Sequence, residues 1–99
     1  MPASESEIET WFIGRIPEHW FQRPPEVIID RDEILVIGTL PDVASETDAA
    51  EDARAVAEAS RIKTFREDTR DERVRIASDA ETLYDYKVSW GAACGDRRV

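Results

Sequence analysis

Forty consecutive residues, Ser45 to Tyr84, contain neither proline nor glycine. Helix formers dominate this stretch, so a helical segment must occupy about two-fifths of the 99-residue chain. Ser45 followed by Asp48 supplies an N-terminal cap, and Glu46, Asp48, Glu51 and Asp52 suit the positive end of the helix dipole. Wound as a helix, Ala49, Ala53, Val56 and Ser60 share one small face. Ile62, Phe65, Thr69, Ile76, Ala80 and Leu83 share a second, rotated by about half a turn. A straight helix would then need cores on opposite sides. The phase shift predicts a break near 58–61, or one long helix whose halves touch different neighbours. A competing reading takes RVRIA (73–77) as an alternating strand, followed by a capping box from Ser78 to Glu81. Helix is favoured, because Ile76 joins the face of Phe65 and Ala80 and no turn residue separates 61 from 73.

The flanks read as sheet. ETWFIGRI (9–16) is rich in aromatic and β-branched residues and is expected to form a first strand ended by Pro17. PEHWFQRPP (17–25) is a loop or single short turn pinned by Trp20 and Phe21. EVIIDRDEILVIGTL contains two β-branched runs around Asp30-Arg31-Asp32-Glu33, the pattern of a hairpin with a four-residue connection. Its second run, Ile34 to Leu40, is almost wholly apolar and belongs in the middle of a sheet, with Pro41 as its stop. Gly38 inside that run marks a bulge or a close backbone approach. KVSWGAAC (87–94) reads as a last strand; residues 1–7 and 95–99 are expected to be flexible ends.

Together these elements predict an α+β fold: an antiparallel sheet of about four strands (9–16, 26–30, 33–40, 87–94) in the order β-β-β-α(α)-β, one face covered by one long or two consecutive helices. The length predicts a single domain, residues 1–99. The thin core of so short a chain, the open sheet edge and the long helix favour a homodimer.

Charge is unevenly spread. The chain carries −9 overall. Residues 1–60 hold four basic and fourteen acidic side chains, residues 61–99 nine and eight. An anion-seeking surface must therefore lie in the second part. There, around the helix 61–84, Lys63, Arg66, Arg70 and Arg73 form a ridge beside the apolar seam, with Glu67, Asp68, Asp71, Glu72 and Asp79 on most of the remainder. Lys63–Glu67 and Asp71–Arg75 are spaced to pair. The favoured expectation is structural: arginine stems cover apolar surface and their heads meet carboxylates of the same assembly. The sharper alternative is a docking surface for nucleic acid or an acidic partner, with nucleic acid disfavoured by net charge.

Other chemistry is sparse. Trp11, Phe12, Trp20, Phe21 and Trp90 are expected to anchor a core or a subunit interface, since the first four lie in the acidic half, away from the basic groove that a base-stacking platform needs. His19, the only histidine, has only Glu18 beside it as a partner for acid–base work. Cys94 is the only cysteine, so no internal disulfide is possible and a buried thiol is expected. His19 and Cys94 cannot make a zinc site of the usual kind, and DRDE lacks the glycine and downstream glutamate of a calcium loop. The glycines form no phosphate loop or dinucleotide fingerprint. No metal and no cofactor is expected. The acidic N-terminus is the reverse of a signal peptide, and the longest apolar run, ILVIG, is far short of a membrane span, which predicts a cytoplasmic protein.

FREDTRDERVRI is similar to the helix-then-strand segment of KH RNA-binding domains, but that family's G-x-x-G loop is missing. WFIGRIPEHWF, DRDEILVIGTLP and KVSWGAACGD together resemble a family of small uncharacterised bacterial proteins of high-GC genomes. That resemblance spans most of the chain and implies no activity. The leading functional expectation is a non-enzymatic module binding a protein partner. Nucleic-acid binding along Lys63, Arg66, Arg70 and Arg73 comes second, and a small-ligand protein or enzyme with a pocket between helix and sheet third.

Overall fold

The computed structural model describes residues 4–41, 51–95 and 97–98; the Ser45–Asp48 cap falls outside them. Helix α1 (Glu5–Arg15) is followed by a 3-10 turn (Glu18–Trp20), strands β1 (Glu26–Asp30) and β2 (Glu33–Thr39), helices α2 (Glu51–Asp68) and α3 (Arg70–Tyr84), then β3 (Lys87–Cys94) and β4 (Arg97–Arg98). The α+β class stands, with a mixed sheet in the order β1-β2-β3-β4.

The segment expected as a first strand is helical. Ser4 accepts the Glu7 amide N–H at 3.1 Å, Glu5 and Glu7 lie in the first turn, and Ile16 N–H closes the helix on the Phe12 carbonyl. Ile8 and Phe12, four residues apart, are buried, and Ile16 continues their line. That spacing outweighs the β propensity of Trp11, Phe12 and Ile13. Residues 5–7 are thus part of a helix rather than a frayed end.

The hairpin is as read, tightened to a two-residue turn: Asp30 pairs with Glu33, and Arg31 turns the corner at φ 51°. The Ile34–Leu40 run is central, with β1 antiparallel on one side and β3 on the other. β3, however, is parallel to β2, pairing Glu33 with Lys87 through Thr39 with Ala93. The expected all-antiparallel sheet fails for a geometric reason. The connection is one helical run, bent at Thr69 but carried across by Thr69 N–H to Phe65 O (3.0 Å) and Arg73 N–H to Thr69 O (2.8 Å). A single run returns the chain to the end where β2 began, so the next strand enters parallel. The expected tail is also partly sheet, because Arg97 and Arg98 pair with Cys94 and Ala93.

Ile34 and Val36 of the central strand and Leu40 just beyond it, with Ala92 and Cys94 of β3, are buried with Ile8, Phe12, Ile16, Ile62, Ile76 and Ala80. Trp20 and Phe21 close this core from the loop. Trp20 meets Phe65 edge-on at 5.6 Å and Trp90 at 6.5 Å; Phe21 lies 5.4 Å from Phe65. A methyl at Gly38 would overlap the Phe21 ring, so the glycine marks a close approach. Of the expected aromatic anchors, Phe12, Trp20 and Phe21 are buried, while Trp11 and Trp90 pack partly exposed against the same cluster. Each such side chain withdrawn from water contributes about 1.5–3 kcal/mol.

Helix α1 is tied to α3 at the surface. Arg15 pairs with Asp79 and lies 5.9 Å over the Trp11 ring, which meets Tyr84 edge-on. No helix among the described residues is long and apolar enough to cross a membrane.

Candidate functional site

The packing face of the helical layer runs unbroken through the predicted break at 58–61. Glu58, Ile62, Thr69, Arg73, Ile76 and Ala80 are buried along it, with Phe65 half-buried. Of the face expected from Ala49, Ala53, Val56 and Ser60, the last three are exposed instead, and Ala49 lies outside the described residues. The reason is compositional: Glu58 and Arg73 occupy seam positions but look like surface residues. The Glu58 carboxylate lies against Gly95, whose left-handed backbone (φ 59°) leaves it room. Segment 73–77 is helical, which removes the strand alternative.

The break lies at Thr69 and has a local cause. The Thr69 hydroxyl donates back to the Phe65 carbonyl at 2.6 Å, a bond that bends helices. It also accepts from Arg73 Nε at 3.0 Å. The second arm of the Arg73 guanidinium donates to the Arg66 carbonyl at 2.6 Å, one of the acceptors that a bend takes out of the helix ladder. Arg73 is thus a splint across the bend. It is only 9% exposed, and burial first, then repulsion from Arg66 and Arg70, lowers its pKa from the ordinary arginine value.

Beside the interruption lies a concavity of about 580 Å³, lined from the end of α2 and the start of α3. All four cations of the predicted ridge, Lys63, Arg66, Arg70 and Arg73, line it. Ala59, Ile62 and Val74 supply apolar surface, and Glu67 the only carboxylate in the lining. Ile62 is 2% exposed and forms floor, whereas Val74 is 61% exposed and forms rim.

Among the described residues of this one chain, the ridge is not neutralised by ion pairs. Among the described residues the only ion pair within 4 Å is Arg15–Asp79, far from the elbow. Neither Lys63–Glu67 nor Asp71–Arg75 closes to that distance. Arg73 is satisfied by neutral oxygens; among the described residues, Lys63, Arg66 and Arg70 have no carboxylate within 4 Å. A helical projection of the sequence places the four cations together, but it does not reveal that one of them turns inward. The Thr69–Arg73 spacing of four is the signal that could have shown it.

Nothing at the elbow resembles a catalytic constellation. His19 sits on the short 3-10 turn, and Cys94 is buried on β3, its thiol 3.6 Å from the Pro41 carbonyl. Among the described residues no group of three or more His, Cys, Asp or Glu side chains is placed to hold a metal. What the arrangement can do is attract and seat negative charge.

Comparison with known proteins agrees with the resemblance seen in the sequence. The family model of the Rv1265-like protein N-terminal domain matches residues 6–99. Uncharacterized protein Rv1265 of Mycobacterium tuberculosis (strain ATCC 25618 / H37Rv) is 46% identical over 89 residues, covering 90% of this chain and 38% of that protein. Uncharacterized protein Mb1296 of Mycobacterium bovis (strain ATCC BAA-935 / AF2122/97) matches to the same extent. The chain therefore spans about 38% of the length of these relatives. No solved structure matches it.

Proposed function

The chain belongs to the Rv1265-like family through its N-terminal domain, and from the elbow we propose that it is a non-enzymatic module that binds an anionic partner. The relatives are described only as uncharacterised proteins, so the reading rests on this chain's own geometry. One observation carries it: Lys63, Arg66 and Arg70 line a single concavity and, among the described residues, have no carboxylate within ion-pair distance. Cations placed for solubility alone are usually interleaved with acids, and this chain has acids to spare at −9. Leaving three cations unneutralised at one elbow raises the local concentration of anions against the field of the whole molecule. The single-domain organisation and a cytoplasmic setting belong to the same proposal, supported by length and by the lone Cys94.

The test is fluorescence anisotropy at low salt with three labelled anionic probes: an acidic peptide carrying serines, the same peptide with those serines replaced by leucines, and a single-stranded oligonucleotide. Saturable binding of at least one probe is expected. It should weaken steeply with salt and vanish when Lys63, Arg66 and Arg70 become glutamate, with the circular dichroism melt unchanged. Retention of none of the three at low salt overturns the reading.

A further inference from the structure

Resting on that reading, we propose that the natural occupant of the elbow is a short acidic segment of a partner protein carrying at least one apolar anchor. Four features of the site bear on the choice. The first is the apolar surface set among the cations. Ile62 floors the concavity, Val74 stands 61% exposed on its rim, and Val56, 69% exposed, lies outside the lining, one turn before Ala59. A sugar–phosphate backbone offers these valines nothing, whereas a leucine or phenylalanine side chain covers them.

The second is the placement of the rings. Single-stranded nucleic acids bind where aromatic faces alternate with cations. Here no aromatic residue lines the elbow, and Trp20, Phe21, Phe65, Phe12 and Trp90 are engaged with one another in the core. The third is Glu67, a carboxylate within the lining. It repels a continuous row of phosphates, but it can accept a peptide N–H or a lysine from a segment of mixed composition.

The fourth is reach. The molecule carries −9, so a long polyanion is repelled along most of its length. A segment with two or three carboxylates senses the field only within about 8 Å at physiological salt, and the lining it meets there holds four cations against one carboxylate. A concavity of about 580 Å³ also suits a few side chains rather than a duplex. Arg66 and Arg70 then hold carboxylates, Lys63 supplies a third cation, and Ile62 and Val74 take the anchor.

The three probes of the preceding test, used with the whole chain, decide the matter. The leucine-bearing acidic peptide should bind about tenfold tighter than its leucine-to-serine counterpart, and the oligonucleotide weakest. Val74→Ser, at a position 61% exposed, should bring the leucine-bearing peptide close to the affinity of its serine counterpart. Arg66→Glu with Arg70→Glu should remove both peptides. Equal binding of the two peptides, insensitivity to Val74→Ser, or tighter binding of the oligonucleotide overturns the proposed occupant while the anion-binding reading survives. Light scattering that shows a dimer broken by Arg66→Glu and Arg70→Glu also overturns it, in favour of a second copy. If no probe binds at all, the elbow reading itself falls.

Discussion

The aromatic core and the elbow sit on the same helical layer, yet they are built on opposite terms. In the core, Phe12, Trp20, Phe21, Phe65 and Trp90 meet edge to face or tilted, and each ring is held by others. At the elbow, four cations share the lining with one carboxylate, Glu67, with no ion pair among the described residues, and the buried cation, Arg73, is held by neutral oxygens. The first arrangement lowers the energy of the isolated chain. The second, on the proposed reading, raises it slightly and is offset only when an anionic partner binds. Stability and binding are therefore separable here, and substitutions in the two regions should report on different quantities.

The largest effect should come from the core. Phe12→Ala removes a fully buried ring that touches both Trp11 and Trp90, and should cost about 3–5 kcal/mol in chemical denaturation. Gly38→Ala comes next: the added methyl overlaps the Phe21 ring, and displacing that ring should cost about 1–3 kcal/mol. A neutral Gly38→Ala would show that Phe21 is a loose cover rather than part of the packed core.

The splint lies between the two regions and sharpens the comparison. Arg73→Met leaves the Thr69 hydroxyl and the Arg66 carbonyl without their donor, for an expected loss of about 1–3 kcal/mol; Thr69→Val should lose about 1 kcal/mol. Because both residues act through one hydrogen-bonded unit, the double variant should lose less than the sum. Strict additivity would mean that the bend does not depend on their contact.

These effects also mark what the sequence could reveal. The hairpin, the central Ile34–Leu40 run, the last strand and the helical winding of 61–84 follow from local periodicity, and each is present. Helix α1 was legible too, through Ser4 and Glu7 at capping-box spacing, but the run Trp11-Phe12-Ile13 carries a competing strand signal. The parallel pairing of β3 follows from the helical run being bent rather than doubled back, a fact settled by hydroxyl and guanidinium contacts at Thr69 and Arg73. Those contacts are tertiary in effect and look like ordinary surface chemistry in a string of letters. The ridge was visible as a row of cations; that three make no ion pair among the described residues depends on where the acids go.

A smaller effect is expected where α1 meets α3. Arg15 and Asp79 are both substantially exposed, so Arg15→Ala should cost about 0–1 kcal/mol, including its place over Trp11. A larger loss would make this contact part of the core rather than its rim.

The smallest stability effect, and the one of opposite sign, is Arg70→Gln. Arg70 is the first residue of α3, where the helix dipole disfavours a cation, and its charge bears on the buried Arg73 guanidinium. Glutamine has nearly the same helix propensity and keeps most of the side-chain length. Removing the charge should therefore leave the protein unchanged or more stable by about 0.2–0.5 kcal/mol, the usual scale of one like-charge contact on a helix. Anion binding at the elbow should fall in the same variant. If Arg70→Gln instead loses more than about 1 kcal/mol of stability, Arg70 is bound into the structure and the elbow is packed scaffold like the core. Gained stability together with lost binding is the signature of a cation kept at a cost to the fold, and that pairing is what separates a docking surface from a salt-laced helix.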